Sequence, residues 1–195
     1  MLRLVVGLGN PGDRYRATRH NAGFMLVDAL AVRWGLAWAP LAKDLGVLAR
    51  GSNGLILLKP ATFMNDSGRS VRSVAQYYKV DPADMLIVYD EVALPLGRLR
   101  LRASGSDGGH NGLRSIIANF DTIEIPRLRL GVGGANAGER RHREQELSDY
   151  VLSPFDESEN PVLTTMIERA ADCVETVLRS GVDAAMNSAN RDDNP

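Results

Sequence analysis

Between Leu2 and Gly23 an apolar run passes directly into a glycine-punctuated turn, and that join limits the folds open to this chain. Leu2 to Val6 reads as a buried strand, followed by Gly7-Leu8-Gly9-Asn10-Pro11-Gly12 and then His20-Asn21-Ala22-Gly23. Glycines at the carboxyl end of a strand let backbone approach a helix or a ligand closely. Gly7, Gly9 and Gly12 match the G-x-G-x-x-G spacing of dinucleotide sites. That fingerprint also needs a helix opening inside the motif and an acidic residue about 20 residues on. Asp13 to Arg19 carries no apolar helical stripe, and Asp28 falls within the first helix, which opens near Asn21. The match therefore lacks the two features that make the fingerprint work, and a nicotinamide-dependent oxidoreductase stays behind the readings below.

The chain has 195 residues, 44% of them hydrophobic, and no Pro/Gly/Ser-rich linker divides it, which predicts one globular domain over 1–183. Residues 184–195 show no periodicity and are expected to form a flexible tail. Met1-Leu2-Arg3 and the short apolar run after it are too brief for a signal segment or membrane span. The single cysteine, Cys173, has no partner for an internal disulfide. Both features predict a cytoplasmic protein. The net charge of −1 hides an asymmetry: 9 basic and 4 acidic residues over 98–143 against 3 basic and 12 acidic over 144–195. A basic middle beside an acidic end suits a polyanion partner on one surface, or simply soluble acidic helices.

Further along, Asn21 is placed to cap a helix carrying Leu26, Leu30 and Trp34, which Gly35 ends. Val47 to Arg50 and Leu55 to Leu58 flank Gly51-Ser52-Asn53-Gly54, a hairpin signal. A helix bearing Val71, Val74 and Tyr78 follows, then the continuous apolar run Met85 to Tyr89, a central strand ending at Asp90-Glu91. Arg98, Arg100 and Arg102 alternate with leucines, which puts three guanidinium groups on one face of a strand, and the rhythm returns over Arg127 to Leu130. Helices are expected after Asn111 (Leu113, Ile116, Ile117, Phe120) and from Asn160 to Gly181. Strands mixed with helices in this order predict an α/β domain with a mixed sheet and helices on both faces.

Asn10, His20, Asn65, Asp90, His110 and Asn111 all fall just after strands or just before helices, where a scaffold places its functional loops. A histidine titrates near about pH 6.5, so His20 can take a proton from water while Asp90 holds its other nitrogen. Asparagine amides both donate and accept without titrating, which suits them to orienting a substrate or a developing oxyanion. Each of these residues also has an ordinary structural role open to it, as a cap, turn or packing residue. The sequence contains no Gly-x-Ser-x-Gly elbow, no histidine pair at i, i+4 and no Cys-x-x-Cys. An acyl-serine route and a metal site thus have no support in sequence, and no cofactor is expected.

Taken in order, the motifs resemble the bacterial-type peptidyl-tRNA hydrolases: Gly7 to Gly12, Thr18 to Gly23, Lys59 to Gly68, Asp90-Glu91 with Leu94 to Gly97, Gly108 to Leu113, Arg127 to Gly133, and Asp149 to Leu152 with Phe155. The resemblance implies a single domain built on a twisted mixed sheet. It implies a monomer that hydrolyses the ester between a peptide and the terminal ribose of tRNA. By position, His20 matches the general base, Asp90 its partner carboxylate, and Asn10 and Asn111 residues that fix substrate and water. Met64 and Asn65 match the pair beside the peptide and ester, Arg102 and Arg129 the residues that grip tRNA phosphate, and Tyr15 and Phe63 flat surfaces near the terminal bases. Two places depart from the family pattern. Ala93 stands where a second aspartate is common, and Ser104-Gly105-Ser106-Asp107 replaces a more glycine-rich lead-in. A non-catalytic RNA-binding protein on the same scaffold is the rival reading, and retention of His20, Asp90 and the three asparagines favours the enzyme.

Overall fold

The computed structural model describes residues 1–42, 45–134 and 144–191. The basic run around His142 and the end of the expected tail, 192–195, lie outside the described residues. Seven strands occur in the order β1 (Leu4–Gly7), β2 (Ala39–Pro40), β3 (Gly46–Arg50), β4 (Ile56–Pro60), β5 (Met85–Pro95), β6 (Leu99–Arg102) and β7 (Arg127–Gly133). The helices are α1 (Ala22–Arg33), α2 (Ser67–Tyr78), α3 (Asn111–Phe120), α4 (Glu144–Val151) and α5 (Asn160–Ala189).

The strands form one mixed sheet ordered β2-β3-β4-β1-β5-β7-β6. β4, β1, β5 and β7 run parallel, and the antiparallel pairings lie toward the two edges. Alternate side chains of a strand point to opposite faces. Val5, Leu57, Leu86 and Val88 accordingly pack with Leu26 and Leu30 of α1 and Met166 and Val174 of α5. Leu4, Val6, Leu58 and Ile87 pack with Val71 and Val74 of α2 and Leu113 and Ile116 of α3. Helices thus cover both faces, as the continuous apolar runs of β1 and β5 require. The chain leaves β1 toward β4 on one side through α1 and returns past it to β5 through α2. The carboxyl ends of β1 and β5 therefore flank a topological switch point, where open α/β sheets leave a crevice.

Gly23 in the first turn of α1 shows why glycine is required beside the crevice. A Cβ there would stand 2.5 Å from the backbone N and O of Leu8 and from the Val88 carbonyl oxygen. The helix consequently lies backbone against backbone on the end of the sheet, which sets the depth of the turn just before it.

Several sequence expectations need correction. β5 does not end at Asp90-Glu91; it runs on to Pro95 beside β7, with a register shift between Glu91 and Pro95. The Asn21 side chain does not cap α1 but bonds to the backbone of Asn10. Arg127, read from its alternation with leucine as another strand-face cation, is fully buried and donates to the carbonyls of Ile125, Ser106 and Ile123 at 2.8–3.0 Å and also to that of Gly105. The last helix does not stop at Gly181, and no loose tail begins at 184. Gly181 adopts φ 83° as a break, after which the helix resumes to Ala189. Ala185 and Ala189 are buried, and the Asn190 amide pairs with both backbone groups of Leu101 on the edge strand. Small side chains carry little hydropathy signal, so this docking left no periodic stripe to read.

Replacing Gly23 by alanine should cost about 1–3 kcal/mol, because the obstructing atoms are backbone. For a chain of this size that is a fall in Tm of roughly 3–10 °C, measurable by thermal unfolding followed by circular dichroism. An unchanged Tm would show that α1 does not rest on the sheet this closely.

Candidate active site

A cleft of ≈ 1020 Å³ opens at the switch point. Its floor is Asp90, fully buried on β5, whose Oδ1 receives two imidazoles: His20 Nδ1 at 2.9 Å and His110 Nε2 at 3.1 Å. The rings are tilted by 54° with centroids 5.2 Å apart. His20 comes from a short 3-10 turn, residues Arg19–Asn21, directly before α1. His110 is the N-cap of α3, and its Nδ1 accepts from the Leu113 N–H at 3.2 Å.

That cap settles the proton placement by elimination. A nitrogen accepting from an amide carries no proton, so His110 must present Nε2–H to Asp90. Asp90 as a carboxylate also takes Nδ1–H of neutral His20, which leaves His20 Nε2 bare. Burial alone would raise the Asp90 carboxyl, but the charge of His20 and the hydrogen bonds from both rings outweigh it and hold it well below the usual carboxylate range. Burial disfavours the His20 imidazolium, yet the Asp90 charge and hydrogen bond outweigh that too, and its pKa lies above the ordinary 6.5.

One ligating atom from each of His20, Asp90 and His110 lies within 4.8 Å of the others, close enough to hold a cation. The cap argues against such use of this trio. A metal on His110 Nε2 would require a proton on Nδ1, and the bond from Leu113 would be lost. The donor set fits hydrogen bonding to a shared oxygen.

Asn10 is nearly buried, and its Oδ1 accepts from the Met64 N–H at 2.9 Å. This fixes the orientation of its amide. Asn21 Oδ1 accepts from Asn10 N–H at 2.9 Å while its Nδ2 donates to the Asn10 carbonyl at 3.0 Å, so both backbone groups of Asn10 are clamped. Phe63, Met64, Asn65 and Asn111 line the same cleft, Phe63 as an exposed aromatic at its edge. Asn111 Oδ1 accepts a long bond of 3.4 Å from Arg114.

Three sequence-predicted site residues lie elsewhere. Tyr15 sits in the turn before the His20 segment, with the Arg14 guanidinium 4.4 Å from its ring centroid, and does not line the cleft. Arg102 and Arg129 lie on β6 and β7 at the sheet edge, with Arg129 opposite Arg100 and Arg102 opposite Arg127. Arg129 pairs with Glu91 at 3.4 Å, and its buried Nε has no hydrogen-bond partner among the described residues. Sequence reasoning also missed parts of the site. Glu91 was seen only as a motif residue, and the α4 wall with Leu147, Ser148 and Val151 had no stripe strong enough to mark it. The clamp by Asn21 was hidden behind its cap position. Cys173 packs in the core, where burial pushes its thiol up to about 11 and removes it from chemistry. Among the described residues no helix is long and apolar enough to cross a membrane.

Comparison with known proteins follows the same lines. The sequence profile of the family described as "Peptidyl-tRNA hydrolase" matches residues 4–195. A peptidyl-tRNA hydrolase of Gloeobacter violaceus is 47% identical over 192 residues, covering 97% of this chain and 94% of the relative. One from Symbiobacterium thermophilum is 47% identical over 194 residues, covering 97% of this chain and 100% of its own. The crystal structure of peptidyl-tRNA hydrolase from Acinetobacter baumannii superposes with a TM-score of 0.88 at 36% identity, over 97% of this chain and 94% of that one. Fold, length and sequence agree over nearly the whole chain, which belongs to the peptidyl-tRNA hydrolase family.

Proposed function

We propose that this protein hydrolyses the ester joining a peptide to the terminal ribose of tRNA, with His20 as general base and Asp90 as the group that steers it. The observation carrying this reading is the bond from His20 Nδ1 to a buried carboxylate at 2.9 Å, which leaves Nε2 bare toward the cleft. Nε2 takes a proton from water as the oxygen attacks the ester carbonyl, and Asp90 stabilises the imidazolium that forms. Side-chain amides of Asn65 and Asn111, together with Asn10 Nδ2, supply uncharged donors for the oxyanion and acceptors for the peptide. Collapse of the tetrahedral species returns the proton from His20 to the departing ribose oxygen. Water and ester become carboxylic acid and alcohol, and His20 ends neutral.

Selectivity for peptide over a free amino acid follows from donors and acceptors that pair with peptide groups and would be left unpaired without them. The basic edge formed by Arg100 and Arg102 on β6 offers phosphate contacts away from the chemistry, and Arg129 on β7 joins it to the cleft through its pair with Glu91. Such contacts strengthen binding in a salt-dependent way and leave the chemical step alone.

The His20→Ala variant should lose about 10²–10⁴-fold in kcat with its circular dichroism unchanged, assayed by release of peptide from peptidyl-tRNA. Near wild-type turnover in a folded variant would end the assignment. Because a base must be neutral to act, kcat/KM should fall as pH drops through the His20 pKa, and the raised value puts that acid limb above 6.5. Asp90→Asn removes the charge and leaves the burial, so the limb should move to lower pH while turnover drops. An unmoved limb would mean that another group sets it. Arg102→Gln should raise KM and reduce the slope of log KM against log salt by about one, with kcat retained.

A further inference from the structure

We infer that Arg19, which never reaches the cleft, is the positioning residue that holds the base: it locks the His20 turn and the α4 wall of the cleft into one unit. The inference rests on His20 being the base. Arg19 and His20 are neighbours in one tight turn and bond to different segments, Arg19 to Glu159 and His20 to Asp90. The Arg19 side chain is only 5% exposed. Both arms of its guanidinium fork reach Glu159, Nη1 to Oε1 at 3.1 Å and Nη2 to Oε2 at 2.5 Å, and Nη1 also donates to the Val132 carbonyl at 3.3 Å. Its Cζ lies over two aromatic rings, 4.6 Å from the centroid of Tyr150 and 4.8 Å from that of Phe155.

Each of those partners is itself tied down. Tyr150 belongs to α4, whose Leu147, Ser148 and Val151 line the cleft, and its hydroxyl donates to the same Val132 carbonyl at 2.8 Å. Glu159 Oε2 accepts from the Asp156 N–H at 2.8 Å just ahead of α5. The backbone adds to the brace, since Arg19 N–H donates to the Ser153 carbonyl at 3.1 Å and Thr18 bridges to Pro154. A bidentate pair whose guanidinium is itself buried over two rings resists sliding and rotation, which a single ammonium would not. Displacement of a catalytic group by 1 Å can cost about 10²-fold in rate, and the His20 bond to Asp90 is the contact most exposed to such a shift.

Glu159→Gln tests this, because it keeps the shape but sets an amide N–H against one arm of the fork. Tyr150→Phe removes one hydroxyl and leaves the ring. The titratable groups facing His20 are Asp90 from β5 and His110 ahead of α3, and with three histidines in the chain the His20 ring signal is identified by comparison with His20→Ala. Glu159→Gln should lower kcat about tenfold and bring the NMR-measured His20 pKa down toward 6.5, with smaller changes of the same sign in Tyr150→Phe. Val174→Ala, in the core away from the cleft, supplies a control of comparable instability that should leave both quantities unchanged. The inference is overturned if Glu159→Gln keeps wild-type kcat and His20 titration, or if the control alters them equally. An active His20→Ala would instead remove the base itself, so the two failures read differently.

Discussion

A single oxygen, Oδ1 of Asp90, organises the site. It lies buried midway along the central strand β5, just past the end of β1, and accepts from two imidazoles that arrive from different parts of the chain. A carboxylate taken out of water is costly unless its lone pairs are filled. Here both donors are themselves constrained, His110 by the N-terminus of α3 and His20 by the turn before α1. The same bonds that make the buried charge tolerable also dictate which nitrogen of each ring carries the proton. Fold stability and proton placement are therefore one arrangement.

The rest of the molecule serves that placement. The crossing of the chain over β1 opens the crevice, and Gly23 lets α1 sit hard against the strand ends, so that the turn holding His20 overhangs Asp90. Asn21, one residue on, clamps the backbone of Asn10 and thereby aims an amide at the backbone of Met64. Three consecutive residues, Arg19, His20 and Asn21, thus reach three different partners: the Glu159 carboxylate, the Asp90 carboxylate and the backbone of Asn10. Dense use of a short segment in this way leaves no residue free to vary its position independently.

Much of this was legible in the sequence, and the parts that were not share a cause. Continuous apolar runs identified β1 and β5, and alternation identified β6, because both patterns report burial directly. The meeting of His20 with Asp90 was legible because His20 stands just before a helix and Asp90 follows the apolar run Met85 to Tyr89, and the order of motifs named the family. Side-chain destinations were another matter. Arg127 and Arg129 share one alternating rhythm, yet the first is buried on loop carbonyls and the second pairs with Glu91. Periodicity gives the face of a strand and says nothing of what covers that face. Likewise α4 and the helical turns after Gly181 are secured by contacts from distant segments, through Tyr150 and Asn190, and local pattern does not record them.

Long-range ¹H–¹⁵N correlation of the imidazole rings at neutral pH and above reads the proton positions on His20 and His110 directly. Neutral His20 should appear as the Nδ1–H tautomer with an unprotonated Nε2, beside His110 as the Nε2–H tautomer with an unprotonated Nδ1. A neutral His20 carrying its proton on Nε2, or a His110 carrying its own on Nδ1, would contradict that placement.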